Sequence, residues 1–544
     1  MMRFDRNKKD YQARIARGKK HATAGKFVAP EHATDLLNAI LKRGDRVCIE
    51  GDNQKQADFL ARALLQVNKR HIRDLHMVQS TVALDEHVEL FRQGIASRLD
   101  FAYSGPQSKN LYQLATEGKV RIGAIHTYLE LYGRYFVDLY PHVSLLVAEA
   151  CDAEGNIYTG FNTEDTALIC EATHFKHGVV VIQVKEKRAR LPRVDIPAGW
   201  IDFIIVTGED YHLQPLFTRD PARITTQQIM MAMMVLKGIY KEYGVQALNH
   251  GLGYATAAIE LLLPTYGRKL GLKGKYCTHW VLNPHPTLIP AVEAGFVKHI
   301  YAFGGEPGME EYTRKRSDIF SVGADGNMRS NRCFAHIAGL YAIDLFIGAT
   351  LQIDRYGNSS TAIKGMIAGF GGAPNLGGSP PGRRNYSRAV TEAGHWQEGL
   401  FKGRKLVVQI TPTVSEKKQI PVFVNELDAI SLYKDGVFSK PPVMISGDQV
   451  THIVTETGIA YLDRCKDVET RIKAVAAVAG DTPVGRSIRK ADISRLRKAG
   501  IVRTPEDLDI KPDRVDRKLL SAQNLQDLVR ISGGLYHPPA GFKG

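Results

Sequence analysis

The apolar and polar positions of this chain fall into one pattern that occurs twice, about two hundred residues apart. RVCIEGDNQKQADFLARALLQ (Arg46–Gln66) and VQALNHGLGYATAAIELLLP (Val245–Pro264) each read as a short apolar run, a glycine turn and an Ala/Leu-rich stretch with helical spacing. That is the opening of a βαβ unit: a strand, a turn at its carboxyl end and a crossover helix. The echo continues downstream. LHMVQS…ELFRQG…LDFAYSG (Leu75–Gly105) is answered by YCTHWVLN…PAVEAG…KHIYAFGG (Tyr276–Gly305), and LLVAEACDAEGNIYTG (Leu145–Gly160) by DLFIGATLQIDRYGNSST (Asp344–Thr361). Landmark glycines keep a near-constant offset: Gly51 and Gly251, Gly94 and Gly295, Gly105 and Gly305, Gly155 and Gly357. Four matches in the same order predict an α/β protein of two tandem halves. A cleft between such halves is where small-molecule chemistry usually sits.

The same patterning sets the boundaries. Residues 1–27 form a basic arm, expected to be a solvated lead-in rather than a targeting or nucleic-acid arm. The first α/β domain runs over 28–222, and RLPRVDIPAGW (Arg190–Trp200), with its two prolines, carries the chain across its edge. A helix over Thr225–Gly244, capped by Thr225 or Thr226 and stopped by Gly244, opens the second domain, 223–465. Its methionines (Met230, Met231, Met233, Met234) are read as core filling rather than a metal stripe. The segment 377–399 is read as an exposed loop, and 466–544 as a charged helical segment and tail that packs on the body or on a partner.

Composition narrows the class. The apolar and charged fractions, 44% and 24%, describe a soluble globular protein, and no apolar run is long enough to cross a membrane. Six scattered cysteines, with no CxxC pair and no His/Cys cluster at zinc spacing, predict buried thiols in a reducing cytoplasm and no metal site. The formal charge of +15 is spread along the chain and suits an anionic partner: a coenzyme's phosphates, an acidic carrier protein or nucleic acid. No recognition motif supports nucleic acid.

The densest glycine loop is IAGFGGAPNLGG (Ile367–Gly378). Gly369, Gly371 and Gly372 bring backbone N–H groups near a ligand, to cradle phosphate or an oxyanion; a tight turn is an equally common use of such a run. It is neither a Walker loop nor a GxGxxG fingerprint. The other strand-end loops are polar: EGDNQKQ (Glu50–Gln56), SGPQSK (Ser104–Lys109), NHGLG (Asn249–Gly253) and NPHP (Asn283–Pro286). Carboxyl ends of parallel strands form the ligand face, which makes Asn249, His250, Asn283 and His285 candidates; turn formation and helix capping explain each about as well.

With these loops in view, the chain resembles the α subunit of biotin-independent malonate decarboxylase. The matching segments include EGDNQKQADFLARAL, LDFAYSGPQS, IGAIHTYLELYGRYFVDL and PLFTRDPA in the first half. In the second they include LNHGLGYATAAIELLLPTY, THWVLNPHPTLIPAVEAGFV, GADGNMRSNR, IAGFGGAPN and SGGLYHPPA. The resemblance covers nearly the whole chain. More distantly the chain is similar to family I CoA-transferases and the citrate lyase α subunit, which implies two CoA-transferase-like halves with the active site between them.

The resemblance implies a transferase: malonate plus acetyl-[acyl-carrier protein] gives malonyl-[acyl-carrier protein] plus acetate. It implies the acyl-carrier-protein subunit and the decarboxylase β and γ subunits as partners, and neither nucleic acid nor membrane. The chain itself binds no cofactor on this reading. It acts on the phosphoribosyl-dephospho-CoA group of the carrier, and CoA would use the same cleft. The wider family uses a glutamate nucleophile near the strand that here reads KYCTHWVLNPHPTL, yet no glutamate stands between Glu260 and Glu293. The implied route is direct attack by malonate on the acetyl thioester, forming a mixed anhydride. The candidate catalytic residues are then Gly369, Gly371 and Gly372, whose amides stabilise oxyanions, and Asn249 and Asn283, which orient the acyl groups. Substrate-binding candidates are Asn53, Gln54, Lys55, Gly251, Gly253, His285, Arg329 and Arg332, with Lys55, Arg329 or Arg332 meeting the spectator carboxylate. Two other readings remain open: a CoA-transferase or thioesterase on free CoA esters with Glu50 as nucleophile, and a non-catalytic ligand-sensing module.

Overall fold

The computed structural model describes residues 3–50, 55–161, 165–302, 304–328, 343–377, 405–415, 419–540 and 542. Two large sheets organise them. In the first, the strand order is Phe27–Val28, Phe203–Val206, Val179–Lys187, Val143–Cys151, Arg46–Glu50, Leu75–Thr81, Ala96–Tyr103, Arg121–Ile125. All these neighbours are parallel, and Ile157–Tyr158 adds to Val143–Cys151 antiparallel. In the second, the order is His299–Tyr301, His279–Val281, Ala247–His250, Leu345–Gly348, Leu406–Ile410, His452–Thr455, Gly458–Tyr461, Val502–Arg503, with only the last two pairings antiparallel.

The sequence repeat is a structural repeat. Val143–Cys151, Arg46–Glu50, Leu75–Thr81 and Ala96–Tyr103 lie side by side in the first sheet. Leu345–Gly348, Ala247–His250, His279–Val281 and His299–Tyr301 take the same places in the second. The match extends to single atoms. In the turn after Val143–Cys151, Asp152 Oδ1 accepts from the N–H of Gly155 and Asn156, the Asn156 amide donates to Asp152 Oδ2, and Asn156 Oδ1 accepts from Ala198 N. In the second half Asp354 Oδ1 accepts from Tyr356 N and Asn358 N, Asn358 donates to Asp354 Oδ2, and Asn358 Oδ1 accepts from Gly447 N. Both sheets are covered on two faces, so their strands are continuous apolar runs: Val47 and Ile49 pack into one core and Cys48 into another.

Three segments refine the boundaries. The basic arm is not a solvated lead-in. Arg3–Gly18 is a helix whose Arg14, 3% exposed, meets Asp45 through both oxygens at 2.5 and 2.9 Å, while the Tyr11 hydroxyl donates to Asp202 at 2.6 Å. Its charges alternate around the helix, so one face finds carboxylate partners on the first domain while Lys8, Lys9, Lys19 and Lys20 stay in water. The helix expected at Thr225–Gly244 begins with a capping box between Thr225 and Gln228, runs as α-helix over Thr226–Val235 and widens into a π-helical turn at Leu236–Lys241. Gly244 ends it at φ +65°, and Met231, Met233 and Met234 lie in the core. The tail packs on the second half. Leu528 and Tyr536 are buried, Ser521 N donates to Leu261 O, and Arg517 reaches the carbonyls of Pro221 and Ile224.

Candidate active site

A cavity of about 370 Å³ opens where the halves meet. The first half contributes Tyr103 and Tyr128, and the segment joining the halves contributes Leu216, Phe217 and Arg219. The rest comes from strand ends and loops of the second half, among them Asn249, Gly251, Asn283, His285, Gly369, Gly371 and Gly372. Eight of the residues expected from the sequence, His250 included, are thus brought together. Gly253 leads into the helix Tyr254–Leu262 and is not among the lining residues. Lys55 lies elsewhere. It is buried, its ammonium donates to Thr159 O at 2.8 Å, and it lines a second cavity of about 270 Å³ with Glu149, Arg188 and Glu310. Asn53, Gln54, Arg329 and Arg332, and the 378–399 part of the expected loop, lie outside the described residues.

The glycine loop owes its place to contacts with the first half. Ser104 N donates to Ala368 O at 3.0 Å, and Phe370 N and Gly371 N both donate to Ala102 O, at 2.7 and 2.9 Å. Tyr128 N closes the seam on Gly371 O. Gly369 sits at φ +82°, and a Cβ there would lie 2.5 Å from Ala102 O, so the approach requires glycine. The Gly371 amide is therefore committed to the seam and is not the oxyanion donor expected of it. Gly372 also lines the cavity, and its N–H has no hydrogen-bond acceptor among the described residues.

Beneath the opposite wall lies a network the strand-end loops hinted at only in part. Glu260 is completely buried and receives His250 Nδ1 at 2.9 Å, His285 Nδ1 at 3.2 Å and the Thr287 hydroxyl. Burial alone would raise its pKa; the hydrogen bonds and charge of the two imidazoles outweigh burial and hold it at about 2. His250 Nε2 pairs with the Tyr240 hydroxyl at 2.7 Å. The His285 ring stacks on Phe217 with 5.2 Å between centroids, and the Asn249 side-chain amide donates to Val281 O. Glu260 itself is not at the cavity surface.

Two residues of the joining segment escaped the sequence reading. Phe217 and Arg219 stand in PLFTRDPA, and a basic residue in the loop linking the halves was the available signal. The segment is fixed by Glu306, a fully buried carboxylate that accepts from Leu216 N, Phe217 N, Thr218 N and the Thr218 hydroxyl at 2.7–3.3 Å. Burial raises the pKa of Glu306, and these bonds only partly offset it. Arg219 is the one Lys or Arg among the described lining residues, and none of those residues is Asp or Glu. Its positive charge is felt at the Tyr103 hydroxyl, whose pKa burial pushes up against it. Among the described residues no group of His, Cys, Asp and Glu could hold a metal ion, and no helix is long and apolar enough to cross a membrane.

A family model described as malonate decarboxylase, alpha subunit, transporter, matches residues 3–544. The acetyl-S-ACP:malonate ACP transferase of Malonomonas rubra is 52% identical over 546 residues, covering 99% of this chain and 98% of the relative. The structure of a Pseudomonas malonate decarboxylase hetero-tetramer in complex with malonate contains a chain 48% identical, with a TM-score of 0.95 and full coverage of both. Fold alone is shared with the citrate lyase α subunit of Streptococcus mutans (16% identity, TM-score 0.58, covering 85% of this chain and 87% of that one). The same holds for an acyl-CoA transferase of Escherichia coli O157:H7 (15% identity, TM-score 0.52, covering 81% and 89%).

Proposed function

The chain belongs to the malonate decarboxylase α-subunit family, and on that premise we propose that it is the transferase that exchanges malonate for acetate on the acyl-carrier-protein thioester. It works within a complex that includes the carrier and the decarboxylase β and γ subunits, and the cavity between the halves is the site. A malonate carboxylate oxygen attacks the acetyl carbonyl, and the carrier thiolate leaves. The thiolate then attacks the malonyl carbonyl of the resulting acetyl-malonyl anhydride, and acetate leaves. No general base is required, since carboxylates are ionised at neutral pH.

One observation carries the choice of an anhydride over a covalent glutamyl route: every glutamate considered as a nucleophile is engaged elsewhere. Glu260 is buried under two histidines and a threonine. Glu293 takes the Tyr312 hydroxyl and Arg316. Glu50 is buried and accepts from Ser80 N and the Ser80 hydroxyl. Catalysis then comes from proximity, from oxyanion donors and from exclusion of water. The Gly372 N–H is the backbone donor, Asn249 and Asn283 orient the acyl groups, and Phe217, Leu282, Phe346 and Met444 form the apolar walls that shield a hydrolysable anhydride.

The test incubates the purified chain with acetyl-CoA or acetylated carrier and carbon-labelled malonate. Malonyl thioester and acetate should form in equal amounts, with intact-mass analysis showing no adduct on the protein. A CoA-glutamyl adduct would restore the covalent route, and no turnover would leave only an assembly or binding role.

A further inference from the structure

The segment between the halves holds its arginine in a form ready for a second carboxylate. Arg219 Nη1 uses both of its protons internally, donating to Leu216 O at 2.9 Å and Thr218 O at 2.7 Å. Those two carbonyls belong to the stretch whose amides and hydroxyl are pinned on Glu306. The guanidinium is therefore fixed by its own loop. Among the described residues its Nε and Nη2 have no acceptor and the side chain has no carboxylate partner. The Nε/Nη2 edge is the planar fork that binds a carboxylate through two parallel hydrogen bonds.

We propose that Arg219 is the specificity-determining residue that recognises the spectator carboxylate of the incoming dicarboxylate, and that Glu306 positions it. The inference rests on the transferase reading above. Malonate differs from acetate by one carboxylate, and a half-buried apolar cavity disfavours that second charge unless a cation meets it. Among the described lining residues Arg219 is the one Lys or Arg that can meet the dianion's second charge. The reacting carboxylate is then left to the glycine loop, which lines the same cavity. Lysine would supply the charge without the fork, so the two cations are not equivalent here.

The test compares two reactions of the same protein: transfer from acetyl-CoA to labelled malonate, and exchange of labelled acetate into acetyl-CoA. In R219Q the ratio of kcat/KM for malonate to that for acetate should fall at least about 30-fold, mostly through the KM for malonate. R219K should recover part of that loss, and E306Q should shift the ratio in the same direction by a smaller factor. A ratio within about 3-fold of wild type in R219Q would overturn the proposal. If R219Q does not fold, R219K decides alone, and an unchanged ratio there overturns it. Failure of the wild-type chain to transfer malonate at all would instead overturn the underlying reading, and the inference with it.

Discussion

In the first half a buried carboxylate, Asp100, sits between two imidazoles, accepting from His76 Nε2 and His126 Nε2 at 2.7 Å each. In the second, Glu260 sits between His250 and His285. The device is the same, but its place is not. Asp100 lies within a strand and ties two neighbouring segments of the sheet together, with Glu130 3.4 Å from the far side of His126. Burial would raise Asp100 and lower His126. Their mutual hydrogen bonds win in both cases, leaving Asp100 well below the usual carboxylate range and His126 above its ordinary value. Glu260 lies on the helix after the strand, and both of its histidines, His250 and His285, line the cavity, His285 with Phe217 stacked on its face. One carboxylate braces a sheet; the other braces a sheet and a wall of the cavity.

The largest effect is expected at the seam where the two halves touch. Gly369→Val would place a side chain against the Ala102 carbonyl at a left-handed φ. Transfer should fall roughly 100-fold or more as the glycine loop is displaced. Amide exchange at Ser104 and Phe370 should rise with it, and wild-type exchange rates at those amides would show that the seam does not hold the glycine loop.

The two carboxylates can then be separated directly. Glu260→Gln and Asp100→Asn should each destabilise by about 3 kcal/mol, since each leaves buried partners of a removed charge. Only Glu260→Gln should also raise KM for malonate; equal kinetic effects would erase the distinction. The pH dependence follows from the lowered pKa of Glu260. Its stabilisation is full above the ordinary carboxylate range and is lost as pH falls toward about 2. Urea midpoints should therefore drop between pH 5 and 2 more steeply in wild type than in Glu260→Gln.

The smallest expected effect lies in the duplicated turn. Asp152→Ala and Asp354→Ala should each cost about 1 kcal/mol for lost turn hydrogen bonds and leave kcat/KM within about 2-fold. A large kinetic loss in either would show that the turns do more than hold the strands.

The repeat was legible because it is written in local signals: glycines at turns and apolar runs at strands, which obey backbone sterics whatever the tertiary context. The strand order of the two sheets, which only the structure gives, repeats in the same way. The cavity was legible where strand-end loops supplied it, at Asn249, Asn283, His285 and the glycine loop. Three things were not. The fixed direction of the Gly371 N–H depends on the first half's Ala102 carbonyl, hundreds of residues away in sequence. Glu260 looked like an ordinary helix residue because its histidines come from two other segments. Arg219 was hidden in a linker whose geometry is set by Glu306, again from a distant loop. The reading of the N-terminal arm failed for the same reason, since Arg14 is legible as structural only once Asp45 is beside it.

A tether between two domains ordinarily supplies proximity and little else, and its length can be changed at small cost. Here the tether is masonry. Because Glu306 clamps Leu216–Thr218 and the same stretch faces the cavity, the linker is one of the walls of the room it joins. Splitting the chain there and supplying the halves as separate polypeptides would restore their encounter but not that wall. The cavity wall would have to be rebuilt at each meeting, whereas the continuous chain keeps it standing.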